Sequence, residues 1–278
     1  MGALMVSTIA SSLFGLTVKV AERRSCHLLA VGAVNYCTAA LVYRIATWGE
    51  GPPSRATWVL GIMGGVAYVT AYLFLVRVVR FKGISISTAV VRLAVLFPVV
   101  FSVFLWGERP SWAQSAGVAL AVVSLPLLGA DGSAQGSKTD IRGMALTGAL
   151  FLTNGGCLMA IRGFHQVGPR DEQALFFSVL FDTAAVVSVI AWWMDRAGSS
   201  KRDVVPGLFL GLWNTMGGFM LLVALRTLPG VVVFPFSSSL AVVLTTLVAM
   251  WAWGERFGKI GTVGMALATV AAVLINIG

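Results

Sequence analysis

The chain has 278 residues, 58% of them hydrophobic and 11% charged, and its mean hydropathy is +0.88. A soluble domain carries about 25% charged residues, so a chain this apolar cannot cover its surface in water and must use lipid as its solvent. The formal charge of +9 lies in short connections between apolar runs, where it acts as a topology signal rather than a footprint for nucleic acid.

A spanning helix needs about 20 mostly apolar residues. Ten runs qualify, at 2–19, 28–47, 57–79, 83–106, 111–129, 142–161, 172–194, 204–226, 230–253 and 258–277. The start, Met1-Gly2-Ala3-Leu4, has no basic n-region and no small-residue cleavage site, so the first run is expected to be a retained span. Connections such as Gly49-Glu50-Gly51-Pro52-Pro53 and Gly168-Pro169-Arg170-Asp171 are short and rich in helix breakers. The most polar stretch, 131–140 with Ala130 before it, is rich in Gly and Ser and reads as a flexible linker. Cys26, Cys37 and Cys157 have neither metal spacing nor a paired framework, so no disulfide and no metal are expected.

The spans repeat. Trp106-Gly107-Glu108-Arg109 returns as Trp253-Gly254-Glu255-Arg256, 147 positions on (253 − 106). Gly83 falls on Gly230, Gly64 on Gly211 and Leu75-Val76 on Leu222-Val223 at the same offset. Gly117, Ala119, Leu120, Ala121 and Val123 likewise fall on Gly264, Ala266, Leu267, Ala268 and Val270. Residues 1–130 and 141–278 are thus two five-helix repeats joined by the linker. Five is odd, so the second repeat enters the bilayer from the opposite side. The expected fold is an all-α integral membrane protein whose ten transmembrane helices form two inverted repeats, a plan suited to alternating access around a central site.

Ten helices, the five-plus-five repeat and the Trp-Gly-Glu-Arg motif closing spans four and nine resemble the drug/metabolite transporter superfamily, and most closely its ten-helix EamA-type branch. The resemblance covers essentially the whole chain. It implies a central cavity lined by spans one to four and six to nine, with five and ten set aside as a packing pair. It also implies carriage of small metabolites, often amino acids, usually outward, across a bacterial inner (plasma) membrane. The resemblance puts both termini inside the cell. The basic residues argue the reverse: thirteen, among them Lys19, Arg23, Arg24, Arg77, Arg80 and Lys82, collect on one side. Arg44, Arg55, Arg109, Arg162, Arg170 and Arg226 collect on the other.

Arg92 sits near the middle of span four, where a charge costs about 2.5–3.5 kcal/mol on insertion scales and so faces protein or water. It either holds an anionic group of the substrate through its fork of donors or pairs with an acid such as Asp182. Its repeat partner is Ser239, in Ser237-Ser238-Ser239 of span nine. Asp182 is the one carboxylate near the middle of any span, a candidate for proton coupling or for that ion pair. Tyr68 and Tyr72 lie one turn apart in span three, and Asn214 in span eight and Asn154 in span six are intramembrane amides. These complete the candidate substrate site. Asn35 is a further intramembrane amide, and bridging between helices is an alternative role for each. The glycines of spans three and eight are expected at close helix contacts. Glu108 and Glu255 close spans and are expected to cap helices. Gly117 with Ala121, and Gly264 with Ala268, give spans five and ten small-residue grooves, either for each other or for a homodimer contact; otherwise the protein is a monomer.

No catalytic constellation is present: no Walker loop, no HExxH, no GxSxG. The chain reads as a secondary transporter of a small organic metabolite, without cofactor, its partners being that solute and membrane lipid. A flippase for a lipid or lipid-linked intermediate on the same fold, a membrane-embedded enzyme and a small-solute channel are the rivals.

Overall fold

The computed structural model describes residues 1–82, 84–130, 141–195, 198, 200–253 and 259–277. Gly254, Glu255 and Arg256 of the second motif, Gly83, and the expected linker 131–140 lie outside the described residues. Eleven helices follow in order: α1 Gly2–Arg23, α2 Leu28–Ala46, α3 Arg55–Lys82, α4 Ile84–Leu93, α5 Leu96–Phe104, α6 Trp112–Ala130, α7 Ile141–Val167, α8 Gln173–Asp195, α9 Lys201–Leu225, α10 Gly230–Trp253 and α11 Lys259–Ile277. Six of them (α1, α2, α3, α7, α8, α9) are each long and apolar enough to cross a membrane, and shorter apolar helices supply the other four spans. The protein is an all-α membrane protein of ten spans, with α4 and α5 as the two pieces of span four.

Pro98 explains that break. It lacks an N–H, and its ring collides with the carbonyl four residues back, at Ala94. Around it the backbone tightens: Val95 N–H donates to Arg92 O at 3.3 Å and Phe97 N–H to Ala94 O at 3.1 Å. Thr245 stands at the equivalent place of the second repeat, and α10 runs through it unbroken.

The halves interleave. α1 packs on α9 as α3 packs on α7, and α2 packs on α9 as α3 packs on α8. Exchanging the repeats converts each contact into its mate. On the symmetry axis α2 meets α8 and α6 meets α11. Spans five and ten therefore hold each other inside one chain, with Gly117, Ala121 and Gly264 buried. Consecutive helices such as α1 and α2, α2 and α3, or α8 and α9 barely touch. Glycine permits the crossings. A Cβ on Gly211 would lie 2.5 Å from Thr38 Cβ and 2.7 Å from Asn35 O, and one on its repeat mate Gly64 would lie 2.9 Å from Leu180 Cδ1.

Polar ties hold the bundle's ends. At one end His27 caps α2 and bonds Asp195 at 3.0 Å, while its N–H donates to Asp203 Oδ1 at 2.9 Å. Asp203 also accepts from Ser200 N–H at 2.7 Å in the capping box that starts α9. At the other end Glu172 accepts from Ser54 N–H at 3.0 Å and from the Thr57 hydroxyl. Between them aromatic rings fill the core, with Tyr43 stacked on Phe177 at 5.2 Å and Phe164 on Phe176 at 4.2 Å.

Candidate functional site

A cavity of about 230 Å³ lies where the two halves meet. Each wall helix contributes one stripe at helical spacing: Ser7, Ser11 and Phe14 from α1; Tyr68, Ala71, Tyr72 and Leu75 from α3; Leu150, Asn154, Cys157, Leu158 and Ile161 from α7; Trp213, Asn214, Gly217, Gly218 and Leu221 from α9. Tyr36 of α2, Val91 and Arg92 of α4, and Phe234, Ser237 and Ser238 of α10 complete it. At the repeat offset Ser7, Ser11 and Phe14 correspond to Asn154, Leu158 and Ile161, and all six line the cavity.

Arg92 is the single charged side chain on this wall among the described residues. Its Nη1 donates to Ser11 Oγ at 3.0 Å, and its Nε is buried without a hydrogen-bond partner. The break in span four shapes its surroundings. Val95 N–H has turned to Arg92 O, which frees the carbonyl of Val91, and Asn154 Nδ2 donates to that carbonyl at 3.0 Å. Asn214 Nδ2 donates to Asn35 Oδ1 at 3.2 Å. Two of the wall tyrosines have their hydroxyls tied to backbone: Tyr72 Oη–H donates to Leu28 O at 2.7 Å and Tyr36 Oη–H to Tyr68 O at 2.9 Å.

The structure thus brings Arg92, Tyr68, Tyr72, Asn154 and Asn214 to one cavity. It does not bring Ser239 or Asp182 there. Ser239 is fully buried behind the wall; Phe234, Ser237 and Ser238 occupy the face of α10 that reaches the cavity, and Ser239 lies about 100° round the helix from Ser238. Asp182 does not pair with Arg92, as depth alone had suggested, but with Arg44 of α2 at 2.8 Å. Its helix, α8, gives no wall residue among the described residues, although span seven was expected on the wall. Ser7, Ser11, Phe14, Tyr36 and Trp213 line the cavity without having been singled out from sequence.

A second polar cluster ties the halves at the end of span four. Gly107 has φ of 63°, a left-handed conformation that glycine adopts without penalty, and the chain reverses there. Glu108 then reaches the start of α10, the equivalent helix of the other half. Its Oε1 accepts from Gly230 N–H at 2.9 Å and its Oε2 from Val231 N–H at 2.8 Å. A carboxylate suits the positive end of a helix dipole. Glu108 also pairs with Arg162 of α7, which is only 2% exposed, lies 4.9 Å from the Trp106 ring centre and meets His165 Nδ1 at 3.1 Å. The acid of the repeated motif is a cap, as expected, but for a helix of the opposite repeat.

Residues 1–130 match the EamA-like transporter family. They form an EamA-like transporter domain. That family is one of membrane transporters, and its match covers just under half of this chain. The match ends at Ala130, the last residue of α6. A crystal structure described as "Crystal structure of protein" is similar to the whole chain, with a TM-score of 0.78 and 18% identity over 99% of this chain and 96% of that one. At that identity the likeness is one of fold. The comparison with curated proteins found no match.

Proposed function

We propose that the chain is a secondary transporter that carries a small organic anion through the central cavity by alternating access, with residues 1–130 and 141–278 as the exchanging halves. One observation carries this reading: the lone guanidinium on the wall, Arg92, is held by a neutral serine and has no acid beside it among the described residues. With Nη1 on Ser11, its remaining N–H donors are left to bind a carboxylate or similar group. Tyr68, Tyr72 and Trp213 offer ring surface to the solute's apolar part, and Asn154 and Asn214 offer amides. A cavity of about 230 Å³ suits a metabolite rather than a lipid headgroup with its chains. The mutual packing of α6 and α11 supports a monomer as the working unit.

The test is flux into proteoliposomes for wild type and Arg92→Ala, with thermal stability measured on both. A stable, folded Arg92→Ala protein that transports organic anions at the wild-type rate ends this reading. For orientation, Arg162 is buried in its ion pair and so drops out of the minority set, leaving thirteen basic residues against five (6 − 1). This supports the cytoplasm on the side of Lys19, Arg23 and Arg24. Labelling a cysteine placed at Ser133 in intact cells with an impermeant thiol reagent reverses that assignment if it succeeds.

A further inference from the structure

The charge balance of the cavity narrows its solute further. We infer that the site takes carboxylates that carry no ammonium group, simple organic acids and 2-hydroxy acids of single negative charge, in preference to zwitterionic amino acids. This rests on the reading of the cavity as the substrate site. The sequence holds 11 Asp and Glu residues, and Asp182 is the one near the middle of a span. Asp182 is off the wall and already neutralised by Arg44 at 2.8 Å. An ammonium entering the cavity therefore meets no counter-ion from this wall, and in a poorly solvated space it stays uncompensated.

Arg92 sharpens the discrimination. Bound to Ser11 and to no acid among the described residues, it leaves the empty site with one unmatched positive charge. A monoanion brings that charge to zero. A zwitterion leaves it unchanged, and by docking its carboxylate on Arg92 it brings an ammonium of like sign within a few ångströms of the guanidinium. The amides do not make good the difference. Asn154 and Asn214 are each anchored through Nδ2, to Val91 O and Asn35 Oδ1, and each keeps a neutral carbonyl oxygen for the solute. Such an oxygen accepts well from a hydroxyl, but it carries no charge to balance an ammonium. Phe14, Tyr68, Trp213 and Phe234 add apolar surface suited to a hydrocarbon or aryl tail, beside the neutral hydroxyls of Ser7, Ser237 and Ser238.

The experiment uses the purified full chain in nanodiscs at neutral pH and sets of acid, 2-hydroxy acid and amino acid that share a side chain. The sets are propanoate, lactate and alanine; 4-methylpentanoate, 2-hydroxy-4-methylpentanoate and leucine; 3-phenylpropanoate, phenyllactate and phenylalanine. Binding is read by calorimetry and flux by counterflow. The acid or hydroxy acid of at least one set should bind about tenfold or more tightly than its amino acid, the factor that 1.4 kcal/mol represents. Asn154→Asp adds the missing carboxylate and should shift the preference toward the amino acid by a similar factor; Asn214→Asp serves if that variant does not fold. Amino acids that bind wild type as tightly as their acids overturn the inference and leave the transport reading standing. An unchanged preference in a folded Asp variant overturns charge balance as its cause. Absence of binding and flux with every compound overturns the cavity reading itself, and the inference with it.

Discussion

Arg92 and Arg162 are two arginines within spans of opposite halves, and they are treated in opposite ways. Arg162 has a carboxylate, a histidine nitrogen and an indole ring around it, and its carboxylate also caps a helix. Arg92 has a serine hydroxyl and open space. The contrast is between a charge matched by an acid within the fold and a charge that, on the proposed reading, is matched by the solute. Burial does not distinguish them, nor does the partnerless buried Nε that both share; the carboxylate at Arg162 does.

The contrast breaks most visibly at Glu108. Glu108→Ala leaves Arg162 buried without its partner and uncaps Gly230 and Val231, and losing one member of a buried pair typically costs about 3–5 kcal/mol. Thermal unfolding in detergent should fall accordingly, and Arg162→Met in the same chain should recover part of it. A Glu108→Ala protein as stable as wild type removes the tie from the energetics of the fold.

Arg92→Ala should do the reverse. Solute affinity should fall by about 2–5 kcal/mol, the usual loss for a charge-assisted contact. Stability without solute should hold or rise, because an unmatched charge has been removed. Arg92→Lys keeps the charge but not the fork and should lie between. Adding Asp182→Ala to Arg92→Ala should restore nothing; restored transport would reinstate the pair that the structure separates.

Asp182→Asn should matter less. Arg44 is 68% exposed at its side chain, and pairs in such a setting contribute about 1 kcal/mol or less. Proteoliposome flux should be retained. Loss of flux together with loss of its pH dependence would return proton coupling to Asp182.

The smallest effect is expected at Glu172, in the connection before α8. Burial raises its carboxyl pKa, but hydrogen bonds from Thr57 and Ser54 outweigh that and hold it below the ordinary range. A depressed folded-state value stabilises the fold above the unfolded pKa, and that stability is lost as pH falls through the folded value. Melting temperature should therefore drop more steeply with acid in wild type than in Glu172→Gln, and identical slopes would show the tie to be inert.

Much of this was legible from sequence because the bilayer penalises polar groups. Arg92, Asn154 and Asn214 stand out in apolar runs, and depth alone sends them toward the protein interior. Depth does not fix rotation about a helix axis. Asp182 and Arg92 share a depth but face different neighbours, and Ser239 matches Arg92 in the repeat yet lies one helix step off the wall. Ser7 and Ser11 gave no signal, since a helical serine commonly bonds its own backbone. Glu108 and Arg162 are 54 residues apart in different repeats, and no local pattern joins them. Pro98 alone does not announce the break in span four, since Pro206 and Pro235 lie inside unbroken helices, and the carbonyl freed at the break finds Asn154 only through the packing of α5 and α4 on α7.

The interleaving of the halves reaches back to biosynthesis. The most extensive helix contacts join α1, α2, α3 and α6 to α9, α8, α7 and α11, whereas neighbours such as α1 and α2, α2 and α3, or α8 and α9 scarcely meet. A ribosome inserting this protein delivers five spans whose best-fitting surfaces have no partner until the other five arrive. During that interval lipid or an insertase must shield them, and a nascent chain cut after Ala130 is a natural target for quality control. The same geometry places the principal contacts of each half on the other half rather than within itself.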